Sequence, residues 1–135
     1  MKKITLILVA TILALTTACS KSSQLKTAIA VANKQCPMVI DEGVVCTEIT
    51  VENDNRIVYV CQMDEPDDFT VCDFNTPLVK MLMKETMSEY LTTQSNSDTK
   101  EIVELIKELK GSIVYRFIGT TSGCKSDVSI NHTDL

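Results

Sequence analysis

The sequence predicts an α+β domain: a four-stranded antiparallel sheet made of two hairpins, with helices packed on one face. Three observations carry that prediction. Two pairs of β-rich runs are each interrupted by turn-forming residues, three stretches place apolar residues at helical spacing, and the elements follow the order α-β-β-α-α-β-β. The 135 residues are 44% apolar with four glycines and three prolines, so one folded core is expected, with neither a second sizeable domain nor a flexible polymer.

From residue 24 to 35, Leu25, Ala28, Ile29 and Ala32 share one helical face, with Ser22 or Ser23 as N-cap and Cys36-Pro37 ending the pattern. After the acidic turn Asp41-Glu42-Gly43, the run 44–52 alternates, with Val45, Ile49 and Val51 facing inward and Glu48, Thr50 and Glu52 outward. Asn53-Asp54-Asn55 tolerates left-handed turn geometry, and 56–63 is again dense in β-formers. A three-residue loop sets Glu52 opposite Arg56, Val51 opposite Ile57 and Ile49 opposite Tyr59. Asp64-Glu65-Pro66-Asp67-Asp68 breaks the pattern, and Asn75 or Thr76 with Pro77 starts a second helix. Leu78, Val79, Leu82, Met83, Met87, Tyr90 and Leu91 give that helix a broad apolar face. Asp98 and Glu101 have the spacing of a capping box for a third helix, whose buried stripe is Ile102, Leu105, Ile106 and Leu109 and whose C′ residue is Gly111. Ile113, Tyr115 and Phe117 then alternate against Val114, Arg116 and Ile118, and Val128 and Ile130 follow a Gly/Ser/Thr turn, which makes the second hairpin.

The N-terminus carries a different pattern. Lys2 and Lys3 precede about a dozen mostly apolar residues, too few to span a bilayer comfortably and suited to an export signal. The segment closes on Leu15-Thr16-Thr17-Ala18-Cys19, which resembles the lipobox of bacterial lipoprotein signals. The resemblance implies that residues 1–18 are cleaved, that Cys19 is acylated as the new N-terminus, that 19–23 form a polar tether and that 24–135 are the domain. It also implies a lipid anchor in the bacterial cell envelope, with the outer membrane as the expected site. Firm anchoring needs more than one acyl chain, since a single chain binds only marginally.

Charge and composition narrow the partners. Eighteen acidic against thirteen basic residues and 4% aromatics supply neither a field for phosphates nor platforms for bases, so nucleic acid is excluded. Export permits disulfides among the six cysteines, but acylation of Cys19 leaves Cys36, Cys46, Cys61, Cys72 and Cys124, an odd number that cannot all pair within the chain. The three-residue hairpin register sets Cys46 beside Gln62 and turns the Cys46 and Cys61 thiols to opposite faces; a shift of one residue would align them. A Cys61–Cys72 link would close the acidic loop. No C-x-x-C and no nearby histidine point to a metal, and no cofactor is expected.

The remaining candidates concern interaction. Asp64, Glu65, Asp67 and Asp68 form an acidic loop able to attract a cation or basic partner, without the series of an EF-hand. Arg116, in the middle of an apolar strand, either pairs across the sheet with Glu48, Thr50 or Glu52 or faces a partner. His132 is the single histidine and falls on the inner face with Val128 and Ile130 if the strand continues. No nucleophile elbow or phosphate loop is present, so catalysis is not expected. The expected function is that of a non-catalytic envelope lipoprotein that binds, or is accessory to, a protein partner. Two alternatives are an inhibitor of an exported hydrolase, by a fold-level similarity to cystatin-like inhibitors, and a carrier of a small apolar ligand in a helix–sheet crevice.

Overall fold

The computed structural model describes residues 20–94 and 96–135; the signal segment and the acylation site expected at Cys19 lie outside the described residues. Ser20 caps the first helix, its Oγ accepting from the Ser23 N–H at 3.2 Å, and helix α1 runs Lys21–Asn33. The helix begins three residues before the apolar periodicity does, so much of the expected tether is helical. Leu25, Ala28, Ile29 and Ala32 are buried as predicted, and Asn33 Oδ1 accepts from the Ile49 N–H at 2.8 Å, tying the helix end to the sheet.

The sheet has five strands: β1 (Met38–Asp41), β2 (Val44–Glu52), β3 (Arg56–Met63), β4 (Ser112–Gly119) and β5 (Lys125–Asn131), in that spatial order. The four-strand prediction missed β1, a short edge strand behind Pro37; the expected turn at Asp41-Glu42-Gly43 is the hairpin turn that joins it to β2, with Gly43 at φ +75°. The β2–β3 turn matches the prediction, with Asn53 and Asp54 at φ 52° and 65° and with the expected pairs Glu52/Arg56, Val51/Ile57 and Ile49/Tyr59.

Two features of the sheet correct the sequence reading. A bulge between Cys46 and Glu48 inserts Thr47, so Cys46 pairs with Cys61 and not with Gln62. Beyond the bulge the faces exchange: Val44 and Cys46 enter the core while Val45 lies opposite Gln62. The second correction is of direction, because β3 and β4 are parallel, in register from Arg56/Ser112 to Met63/Gly119. The two hairpins join through their inner strands by a helical crossover, which is how parallel neighbours are connected. Both inner strands are apolar on both faces, the mark of central strands.

Within the crossover lie a 3₁₀ turn (Val71–Asn75), helix α2 (Pro77–Glu89), a π turn (Tyr90–Gln94) and helix α3 (Ser97–Glu108). Asn96, and not Asp98, caps α3, accepting from the Thr99 N–H at 2.9 Å. At its other end Lys110 takes the left-handed position (φ 51°) expected of Gly111, and the Gly111 N–H closes on Ile106 O at 2.9 Å. Gly111 serves a close approach instead, since a Cβ there would strike the Asn55 carbonyl.

The core is one cluster. It joins the buried residues of the helices to Ile57, Tyr59, Cys61, Ile113, Tyr115, Phe117, Val128 and Ile130, so the helices cover a single face, as predicted. Tyr59 and Tyr115 stack across the parallel pair, ring centroids 5.0 Å apart. Val58 and Val114 are buried outside that cluster, on the opposite face. A short 3₁₀ turn (His132–Asp134) ends the chain, so His132 leaves the strand and its Nδ1 lies 3.2 Å from Gly111 O.

Candidate functional site

The acidic loop is divided by its contacts. Asp64, Asp67 and Asp68 are exposed, whereas the Glu65 carboxylate accepts from the N–H groups of Val71 (2.7 Å), Thr121 (3.0 Å) and Ser122 (2.7 Å) and from the Ser122 hydroxyl (2.7 Å). The Ser122 N–H above all, then the Ser122 hydroxyl and Val71 N–H, outweigh desolvation and hold the Glu65 pKa at about 2. Glu65 is therefore a clamp between the acidic loop and the β4–β5 turn. Cys72, in the 3₁₀ turn that follows the acidic loop, and Cys124, in the β4–β5 turn, form a disulfide with Cα atoms 5.2 Å apart, and Asn75 Nδ2 donates to Lys125 O at 3.2 Å. Phe74 completes the join by meeting Phe117 edge-on.

The partner of Cys72 is thus Cys124. Cys61 is buried elsewhere, opposite Cys46 in the sheet, and Cys36 reaches Cys46 from the α1–β1 connection. Among the described residues no group of three or more His, Cys, Asp or Glu side chains is placed to hold a metal ion.

On the uncovered sheet face, Arg116 lies directly opposite Asp127 of β5 and donates to both its oxygens, Nε at 3.0 Å and Nη2 at 3.1 Å. The hydrogen bonds to Asp127 raise the guanidinium pKa, its charge and that of Glu52 adding to the effect. The pair is cross-strand, but its acid comes from β5 and not from β2. The arrangement completes the sheet surface.

Helix α2 is different, because only Met87 of its thirteen residues is buried. Leu78, Met81 and Leu82, spaced to share one side of the helix, are 61%, 50% and 51% exposed. The predicted apolar face is therefore split: Met87 and Leu91 enter the core, Val79, Met83 and Tyr90 are half-buried, and Leu78 and Leu82 join Met81 outside. Eight apolar residues among the fourteen from Leu78 to Leu91, Met81 included, are more than one narrow stripe can hold, and that excess was the available signal. The helix is held firmly under this row. The disulfide-linked turn precedes it, and Lys84 Nζ pairs with Asp134 Oδ2 at 3.1 Å. Although burial pulls the Asp134 carboxyl up, the Asn131 N–H and Lys84 hold it below the usual range. A solvent-open hollow of about 380 Å³, lined by Met81, Lys84, Glu85, Ser88 and Asp134, runs beside the row. A second, of about 300 Å³, is lined by Lys21, Lys100, Glu101, Glu104, Leu105 and Glu108. Neither is a crevice between helix and sheet of the kind a carrier would use.

No family model and no curated protein matches the sequence. Two solved structures resemble the fold. One is a Pseudomonas aeruginosa protein proposed to be secreted, 11% identical, with a TM-score of 0.59 over 87% of this chain and 97% of that one. The other is the pilotin of the Vibrio vulnificus type 2 secretion system, 12% identical, with a TM-score of 0.54 over 84% of this chain and 94% of that one. The likeness is one of fold. At such identities it extends to the arrangement of helices and strands and to no individual residue. Among the described residues no helix is long and apolar enough to cross a membrane.

Proposed function

We propose that the chain is an exported lipoprotein, acylated at Cys19 and anchored at the outer membrane, that works without catalysis as an accessory docked on a protein partner of the bacterial envelope. The observation that carries this reading is the exposed row Leu78, Met81 and Leu82 on a helix that starts from a disulfide-linked turn and is paired through Lys84, near its middle, with Asp134. Apolar side chains kept in water on a rigid support gain roughly 25 cal/mol for each Å² a partner covers. The lipobox-like segment ending at Cys19 supports the anchor, and the fold shared with a secretion-system pilotin supports an accessory role.

Crosslinking and mass spectrometry of the tagged protein in its native envelope test both parts. Cys19→Ala removes the anchor, and the double change Leu78→Ser with Leu82→Ser removes the row. The expected result is a reproducible protein partner whose recovery falls with Cys19→Ala and whose affinity falls about 10- to 100-fold with the double change, the scale of a loss of one to three kcal/mol at an interface. A partner held equally well by the double variant, while circular dichroism shows the fold intact, would overturn the docking role of α2.

A further inference from the structure

The bulge at Thr47 has a chemical consequence. By pairing Cys46 with Cys61 it turns two buried thiols toward each other on the core face, and Cα atoms directly opposite in an antiparallel pair lie about 4.5–5.5 Å apart. A disulfide requires about 4.4–6.8 Å. The Cys46 thiol, whose Sγ donates to the Glu48 carbonyl at 3.6 Å, has Cys61 and Cys36 for neighbours, and both perturb its ionisation. We propose that Cys46 and Cys61 form a second disulfide in the exported protein, and that Cys36 remains the free thiol of the described residues.

The choice between the two neighbours of Cys46 rests on how firmly each is held. Cys61 is fixed by ladder pairs on either side, Val44/Met63 and Glu48/Val60, and is fully buried. Cys36 lies in the connection between α1 and β1, partly exposed. Both neighbours are brought up by hairpins, but the approach of Cys36 depends on the four-residue edge strand β1, whose pairing with β2 shifts register between Val39 and Asp41, whereas Cys61 is held within the longer β2–β3 ladder. The oxidant is a disulfide, R–S–S–R, of the thiol-oxidising machinery that exported chains meet. One cysteine thiolate attacks it, forming a mixed disulfide and releasing one R–S⁻. The other thiolate attacks the cysteine sulfur of that mixed disulfide and releases the second R–S⁻. The two thiol protons end on two R–SH, the cysteines are oxidised by two electrons, and R–S–S–R is reduced by two.

Burial first, and then its neighbour Cys46, push the Cys36 thiol up to about 11, so an unpaired Cys36 is slow to react near neutral pH. Cys46 is pushed up further still, by Cys61 first and then by burial, so thiolate availability does not choose between the two pairings and the placement of Cys61 in the ladder does.

The test is peptide mapping of the full chain exported from its own leader, with thiols trapped by an alkylating agent in acid-quenched denaturant. Two linked pairs are expected, Cys72 with Cys124 and Cys46 with Cys61, and alkylation of Cys36 alone among the cysteines of the described residues. Cys36→Ser should leave the yield of the Cys46–Cys61 peptide unchanged, and Cys46→Ser should render Cys61 alkylatable while Cys72–Cys124 persists. Complete alkylation of Cys36, Cys46 and Cys61, or a link from Cys36 to either of the others, overturns the proposal. It does not depend on the docking role of α2.

Discussion

A single carboxylate joins two loops of this molecule. Glu65 gathers donors from the 3₁₀ turn and from the β4–β5 turn, and its pKa falls from 4.5 to about 2 on folding. A group depressed on folding stabilises fully above its unfolded value and loses that contribution as pH falls toward its folded value. Thermal melts of the wild type should therefore drop more steeply than those of Glu65→Gln between about pH 4.5 and pH 2. Parallel curves would show that the clamp carries no proton linkage. Arg116 makes the contrasting case, since its partly exposed pair with Asp127 has little to lose, and Arg116→Ala should change unfolding free energy in urea by no more than about 1 kcal/mol. The type of each residue was legible in the sequence but its partner was not. Glu65 stands in a run of four acids that composition makes equivalent, and only the fold brings Ser122 to one of them. Arg116 was recognisable as a charge in an apolar strand, while its acid, Asp127, lies on a strand whose place depends on topology.

At the scale of elements, local chemistry decided most boundaries. Strands β2 and β3 begin and end where alternation and the Asn-Asp-Asn turn put them, and the third helix keeps its predicted stripe. Termini moved by a few residues because caps compete. Ser20 and Asn96 are each used in place of a nearby polar residue of similar capability. Gly111 was read as a cap and turned out to be a contact: the helix end tolerates Lys110 in the left-handed position, and the Asn55 carbonyl leaves no room for a Cβ on the next residue. Two glycine substitutions separate these effects. Gly111→Ala should cost about 2–3 kcal/mol in urea unfolding, from overpacking against backbone. Gly123→Ala, at φ +71° with open space around it, should cost only about 1 kcal/mol, from backbone strain alone. Equal losses would remove the steric account of Gly111. The bulge belongs to this scale too. Nothing in the sequence around Thr47 distinguishes it from a regular strand residue, yet it decides which of Val44, Val45 and Cys46 enter the core.

For the whole molecule, long-range links hold the crossover to the sheet. The Cys72–Cys124 bridge spans 52 residues and encloses both α2 and α3, so its loss should destabilise the protein by about 4 kcal/mol through the entropy of the unfolded chain. Urea titrations of Cys72→Ser with Cys124→Ser against the oxidised wild type measure this, and a difference below about 1 kcal/mol would mean that Glu65, Phe74 and Asn75 hold the join without it. The bridge also bears on the proposed docking. It fixes the turn from which α2 starts, and so keeps Leu78, Met81 and Leu82 where a partner can cover them.

The sequence by itself determined the α+β class, the three helices, four of the five strands, the turn between β2 and β3, and the buried faces of α1, β3, β4 and β5. These are properties of near neighbours: periodicity, turn chemistry and capping act within a few residues. Tertiary structure alone decided that the two hairpins lie parallel at their seam, that the first edge strand exists, that Cys72 meets Cys124, and that Leu78, Met81 and Leu82 of α2 stay in water. Each depends on which segments distant in sequence come together, and a one-dimensional pattern that is satisfied equally by several packings does not choose among them.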